Sequence, residues 1–239
     1  MTATDRVTAR PRPGRVVPAR TERAAEGPAR LVARLRHGRA LHPRGLMVAA
    51  TLRVSGGAAL GVPVLDTPGE HEVLARLSKG GSLPGRLPDV LGLAVRLPGP
   101  LDLLLSTCGR VPWLLRPRTG FTAGPYSTLV PYSSGTGSVW FVAWPEGMSV
   151  PANPRLLAVA LDRGPLLFHL HAVHKDRPAV RVATLRVRAP LPGTDVAFDP
   201  VLNDHPSLRQ PEWLRRLRRG AYLGSRQARA AEVDTGAGQ

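Results

Sequence analysis

Leu91-Gly-Leu-Ala-Val-Arg-Leu97, Pro98-Gly-Pro100, Leu101-Asp-Leu-Leu-Leu-Ser-Thr107 is the stretch that decides the fold. Two short apolar runs stand on either side of a Pro-Gly-Pro break, so each reads as a β-strand ended by turn residues. Working outward, residues 46–54 and 72–78 read as strands before this pair. Residues 138–144, 156–161, 165–173 and 180–188 read as strands after it. The segment 110–137 is rich in Pro, Gly, Ser and Thr and reads as a long loop, a type of segment that is often functional.

The ends of the chain read differently. Residues 1–22 carry Pro11, Pro13, Gly14 and Pro18 without periodicity, and are expected to form a disordered basic arm. Residues 24–37 place Leu31, Val32 and Leu35 on one helical face, with Gly38 as a stop. Ser207 is expected to cap a helix running to about 219, with a second helical stretch over about 221–232 and a kink near Gly220. The expected architecture is α+β: a closed antiparallel β-barrel of about eight strands with flanking helices. One domain over 23–232 is expected, followed by a disordered tail over 233–239.

Composition bounds the function. The chain has 239 residues, a formal net charge of +16 and a single cysteine, Cys108. One cysteine excludes an internal disulfide and a multi-cysteine zinc site. No apolar run is long enough to span a membrane, and residues 1–30 lack the apolar core of a secretory signal. A cytoplasmic location is therefore the default expectation. The basic charge is almost all arginine, with Lys79 and Lys175 as the lysines. It attracts anions in general. Aromatic residues make up 5% of the chain and no nucleic-acid-reading module is present, which argues against a dedicated nucleic-acid binder.

Five blocks in order carry a resemblance. They are Arg39-Ala-Leu-His42-Pro-Arg-Gly45, Ala75-Arg76-Leu-Ser78, Asp89-Val-Leu-Gly92-Leu-Ala94-Val-Arg96, Leu101-Asp102-Leu103-Leu104, and Phe198-Asp-Pro200 with Asn203-Asp204 followed by Arg218, Tyr222 and Arg229. In this order the chain resembles the catalase-like haem superfamily, particularly its short, catalase-related peroxidase branch. The resemblance implies haem b as cofactor, His42 as the distal catalytic base and Tyr222 as the iron ligand. Arg218 and Arg229 would flank the tyrosinate and a propionate, with Arg39 and Arg76 as further propionate partners. A tyrosine must lose its proton to ligate iron, and nearby cations favour the phenolate. On a continuous helix, Arg218 and Arg226 lie one turn either side of Tyr222.

Two departures bear on the reaction. Where catalases place an asparagine beside the distal histidine, this chain has Ser106, and the covering aromatic falls near Val111. Ser106 is the candidate that faces a bound peroxide. The resemblance therefore implies a peroxidase or an organic-hydroperoxide-processing enzyme rather than a dismutating catalase. It implies a hydroperoxide substrate and allows a homo-oligomer. Two other readings stand beside it. One is a catalase-fold protein that binds without haem chemistry. The other is a metal-dependent phosphodiesterase using His169, His171 and His174, in which alternate strand positions would present two imidazoles to one metal.

Overall fold

In a computed structural model, which describes residues 44–81, 87–194 and 196–216, the strands close into a barrel. The strands are β1 (Arg44–Val54), β2 (Gly69–Lys79), β3 (Leu91–Leu97), β4 (Leu101–Thr107), β5 (Tyr126–Ser127), β6 (Tyr132–Ser134), β7 (Gly137–Glu146), β8 (Leu166–Val173) and β9 (Val180–Pro190). Their order is β5-β4-β3-β2-β1-β9-β8-β7-β6, all antiparallel. A further pairing of β5 with β7 closes eight strands into a ring and leaves β6 outside it, paired with β7 and bridged at Ser133 to Arg209. The closure is narrow: two-residue β5 joins Thr107 and Ser106 of β4 to Ala143 and Val142 of β7.

Alternation along the strands fills the inside. Val48, Ala50, Leu52 and Val54 of β1, Leu91 to Leu97 at alternate positions of β3, Leu101, Leu103 and Leu105 of β4, and Phe141 and Phe168 all enter one buried cluster. A cavity of about 10 Å³ lies inside the barrel among Leu52, Leu93, Leu103, Phe168 and their neighbours, room for no more than a single water. A ligand larger than water does not fit this cavity.

Two helices interrupt the strands. The short α1 (Pro63–Asp66) was not foreseen; its Asp66 carboxylate accepts from the Leu60 and Val62 amides and fixes the β1–β2 connection. The expected strand at 156–161 is instead part of α2 (Pro154–Arg163). Asn153 caps it, its side chain accepting from the Arg155 amide at 2.9 Å, and Pro154 occupies the first turn. Leu157, Ala160 and Leu161 face the core, a helical rather than alternating set. The expected 110–137 loop contains β5 and β6. Ser207 does not begin a helix. It lies within a turn in which the Leu208 amide donates to the His205 carbonyl, and helix begins only at residues 212–216. The helix expected over 24–37, the arm over 1–22 and everything beyond 216 lie outside the described residues.

Candidate functional site

The outer face of the barrel carries a row of small residues. Strand register places Gly45, Ser78, Gly92, Ser106, Ser127 and Val142 side by side across β1, β2, β3, β4, β5 and β7. Their strand neighbours Leu77, Leu91, Leu93, Leu105 and Tyr126 point the other way, into the core. Small side chains in one row leave a flat shelf. The next row holds Met47, Arg76, Ala94 and Leu104. Arg76 is half-buried, and its guanidinium lies over Gly45: a Cβ at that position would stand 2.8 Å from Cζ and 2.9 Å from the Leu77 carbonyl oxygen. Glycine therefore lets the cation lie flat against the start of β1. A level floor beside an arginine fork suits a flat ligand that carries carboxylates.

Of the residues singled out in the sequence, Arg76 and Ser106 are brought to this one face, in adjacent rows. Ser106 is half-buried between Gly92 and Ser127. The Ser127 hydroxyl accepts from the Leu129 amide at 3.0 Å and is fully buried. His42, Arg39, Arg218, Tyr222 and Arg229 lie outside the described residues.

A set of contacts that sequence reading did not assemble lies on the same outer face, four residues along β3 from Gly92. The Arg96 Nε and Nη2 donate to the two carboxylate oxygens of Asp102 at 2.8 and 2.7 Å. Asp102 is wholly buried. Its Oδ2 also accepts from the Asp199 amide at 2.7 Å and from the Asn203 side-chain amide at 2.8 Å. Arg96 Nη2 donates to the Ala197 carbonyl at 2.7 Å, and its Cζ sits 5.3 Å from the Phe198 ring centroid. The bond to Asp102, together with its charge, raises the Arg96 pKa, against the desolvation that burial imposes. The result is a clasp that holds residues 197–204 on the barrel. Arg96, Asp102, Phe198, Asp199 and Asn203 stand in the quoted blocks; their meeting across about a hundred residues leaves no local signal.

The three histidines of the metal reading do not converge. His169 Nδ1 meets Thr184 Oγ1 at 3.1 Å, and its Nε2 pairs with Glu146. His171 Nδ1 bonds the His169 carbonyl and His174 Nδ1 the Ser138 carbonyl, each at 3.0 Å. His169 and His171 do share one face of β8, as alternation expects, while a bulge at Val182 shifts the pairing with β9 between Leu170 and His171. Among the described residues no group of three His, Cys, Asp or Glu side chains could hold a metal ion. The phosphodiesterase reading thereby loses its ligand set. At the opposite rim an open groove of about 510 Å³ runs past Val62, Pro68, Pro98 and Leu101, with Thr67, His71 and His205 as its polar side chains. Among the described residues no helix is long and apolar enough to cross a membrane.

No protein-family profile and no curated protein sequence matches the chain. Solved structures do. A bacterial catalase matches with a TM-score of 0.60 at 12% identity, over 93% of this chain and 62% of its own. A fungal catalase matches with a TM-score of 0.55 at 13% identity, over 87% of this chain and 63% of its own. Catalase A from Saccharomyces cerevisiae matches with a TM-score of 0.53 at 12% identity, over 94% and 67%. The chain thus has a catalase-like barrel, and it spans less than two thirds of the length of the fungal and bacterial catalases.

Proposed function

We propose that this chain is a small catalase-like haem protein that processes a hydroperoxide, in the manner of a peroxidase. The observation that carries the proposal is the clasp at Asp102. It fastens residues 197–204 to the same outer face that presents Arg76 and Ser106. The chain bearing Arg218, Tyr222 and Arg229 continues from that fastened segment, and Arg39 and His42 immediately precede Gly45 on the shelf. The described segments next to the two halves of the sequence pattern, β1 at Gly45 and residues 197–204, thus lie on one face of the barrel.

In this reading Tyr222 is the iron ligand, with Arg218 favouring its phenolate form. Arg39, Arg76 and Arg229 pair with the propionates. Haem bound there would supply the ferric iron at which the O–O bond of a hydroperoxide is broken. His42 takes the proton from the hydroperoxide and returns it to the departing oxygen. The Ser106 hydroxyl, shorter than an amide side chain, offers the substrate a donor from the shelf. Expression with haem supplied is expected to give protein with a Soret band, which Tyr222→Phe loses and His42→Ala keeps while peroxide-dependent oxidation of a dye stops. A protein that takes up no haem would overturn the proposal.

A second reading keeps the fold without the redox chemistry. It is favoured by the row around Ser106, where Gly92 and Ser127 are the neighbours and no side-chain amide is present. Normal haem loading with turnover that depends on His42 would exclude it.

A further inference from the structure

The β4–β5 connection ends in a rigid apolar tip. Trp113 and Leu114 are 55% and 56% exposed at a turn in which the Leu114 amide donates to the Val111 carbonyl at 3.2 Å. The base of the turn is firmly held. The Gly109 amide donates to the Leu114 carbonyl at 2.7 Å and the Arg116 amide to the Thr107 carbonyl at 3.0 Å. Arg118 Nη2 donates to the Cys108 carbonyl at 3.1 Å. The Trp113 ring rests on Trp140, centroids 5.7 Å apart, which sets its direction. Exposed Arg110 and Arg116 flank the tip, and neither forms an ion pair with a described residue. No Asp or Glu occurs between Asp102 and Glu146, so nothing acidic in this segment offsets them.

We infer that this tip is a docking point for an anionic lipid surface. Tryptophan is favoured at the membrane interface, where its ring lies at headgroup depth and leucine enters the acyl boundary. Arginines beside such a wedge meet the phosphates of acidic lipids, and the net charge of +16 draws the whole molecule toward them. Because the turn is already held in place, little ordering is lost on contact. Two apolar side chains give shallow, reversible attachment that needs the charge as well. The inference does not depend on whether haem is bound.

The full chain, mixed with phosphatidylcholine vesicles with or without phosphatidylglycerol and carrying brominated acyl chains, tests it. The expected result is co-sedimentation with the anionic vesicles only, accompanied by quenching of tryptophan emission. In Trp113→Ser/Leu114→Ser the quenching is expected to vanish and the bound fraction to fall about fivefold. Arg110→Gln/Arg116→Gln is expected to keep the wedge but release at lower salt than the unaltered protein. All these side chains are exposed, so matching thermal melts are expected for the variants. Unchanged sedimentation and quenching in Trp113→Ser/Leu114→Ser would overturn the inference, since charge elsewhere would then hold the vesicles. It would equally fall if the tip joined two copies of the chain, or stacked on single-stranded RNA, while ignoring vesicles.

Discussion

The Asp102 amide donates to the Asn203 carbonyl at 3.0 Å, and the Asn203 side-chain amide returns a bond to the Asp102 carboxylate at 2.8 Å. This reciprocal pair ties β4 to a segment that follows the barrel in the chain. With Arg96 closing the other side of the carboxylate, the pair acts as a fastening rather than as a strand contact.

Removing one partner of a buried ion pair leaves the other charge without compensation. Asp102→Ala is therefore expected to cost about 3 kcal/mol in urea unfolding, the partial exposure of Arg96 keeping the loss from being larger. Asn203→Ala is expected to cost about 1 kcal/mol. The two substitutions share one network, so their effects are expected to be less than additive by about 1 kcal/mol. Strictly additive losses would mean that the two residues act independently.

Gly45→Ala places a methyl group against the Arg76 guanidinium and, less forgivingly, against the Leu77 carbonyl. A side-chain end can swing aside; a carbonyl inside the β1–β2 ladder cannot do so cheaply. A loss of about 1–3 kcal/mol is expected. If Arg76 holds a carboxylate of the cofactor, haem affinity falls as well, measured by spectral titration of the variant.

Replacements along α2 separate helix from strand. Leu156 and Val159 are 46% and 47% exposed, whereas Leu157 is buried. Leu156→Lys and Val159→Lys are each expected to change stability by less than about 0.5 kcal/mol. Leu157→Lys is expected to cost about 3 kcal/mol or more, because it buries a charge without a partner. A strand would group Leu157 with Val159, and the two lysine variants would then fall together.

Burial pushes the Cys108 thiol up from 9.0 to about 11, with the Arg118 guanidinium pulling weakly the other way. The folded state therefore holds this proton more tightly than the unfolded chain. The stability that comes from it is present in full below pH 9.0 and is lost as pH rises toward about 11. At pH 8 the thiolate fraction is about a hundredfold smaller than in unfolded protein. Alkylation by iodoacetamide is expected to be slower by at least that factor in the folded protein, and to accelerate on denaturation.

The sequence exposed some of this and hid the rest for physical reasons. Leu91–Leu97 and Leu101–Thr107 were legible to the residue, because Pro98-Gly-Pro100 punctuates them and leucine repeats on the inward side. The run Leu156-Leu-Ala-Val-Ala-Leu161 was misread because a short apolar run has no period of its own. The cue that would have resolved it was Asn153-Pro154, a cap followed by a first-turn proline. β5 was invisible: two residues cannot display an alternation, and Tyr126 is inside because of its partners, not its neighbours. Of the candidate site, Arg76 and Ser106 came from the family resemblance of the blocks that hold or neighbour them. Their shared face needed the register between β2, β3 and β4, which no single stretch encodes.

That slender β5 has a consequence for the shelf. Ser127 is at once the last tile of the small-residue floor and half of the strand that shuts the ring. A seam this short is where the cylinder would unzip first, and unzipping it would tilt the floor beside Ser106. Keeping the site level and keeping the wall shut are therefore one thermodynamic task, so a ligand that presses on the shelf also bolts the barrel.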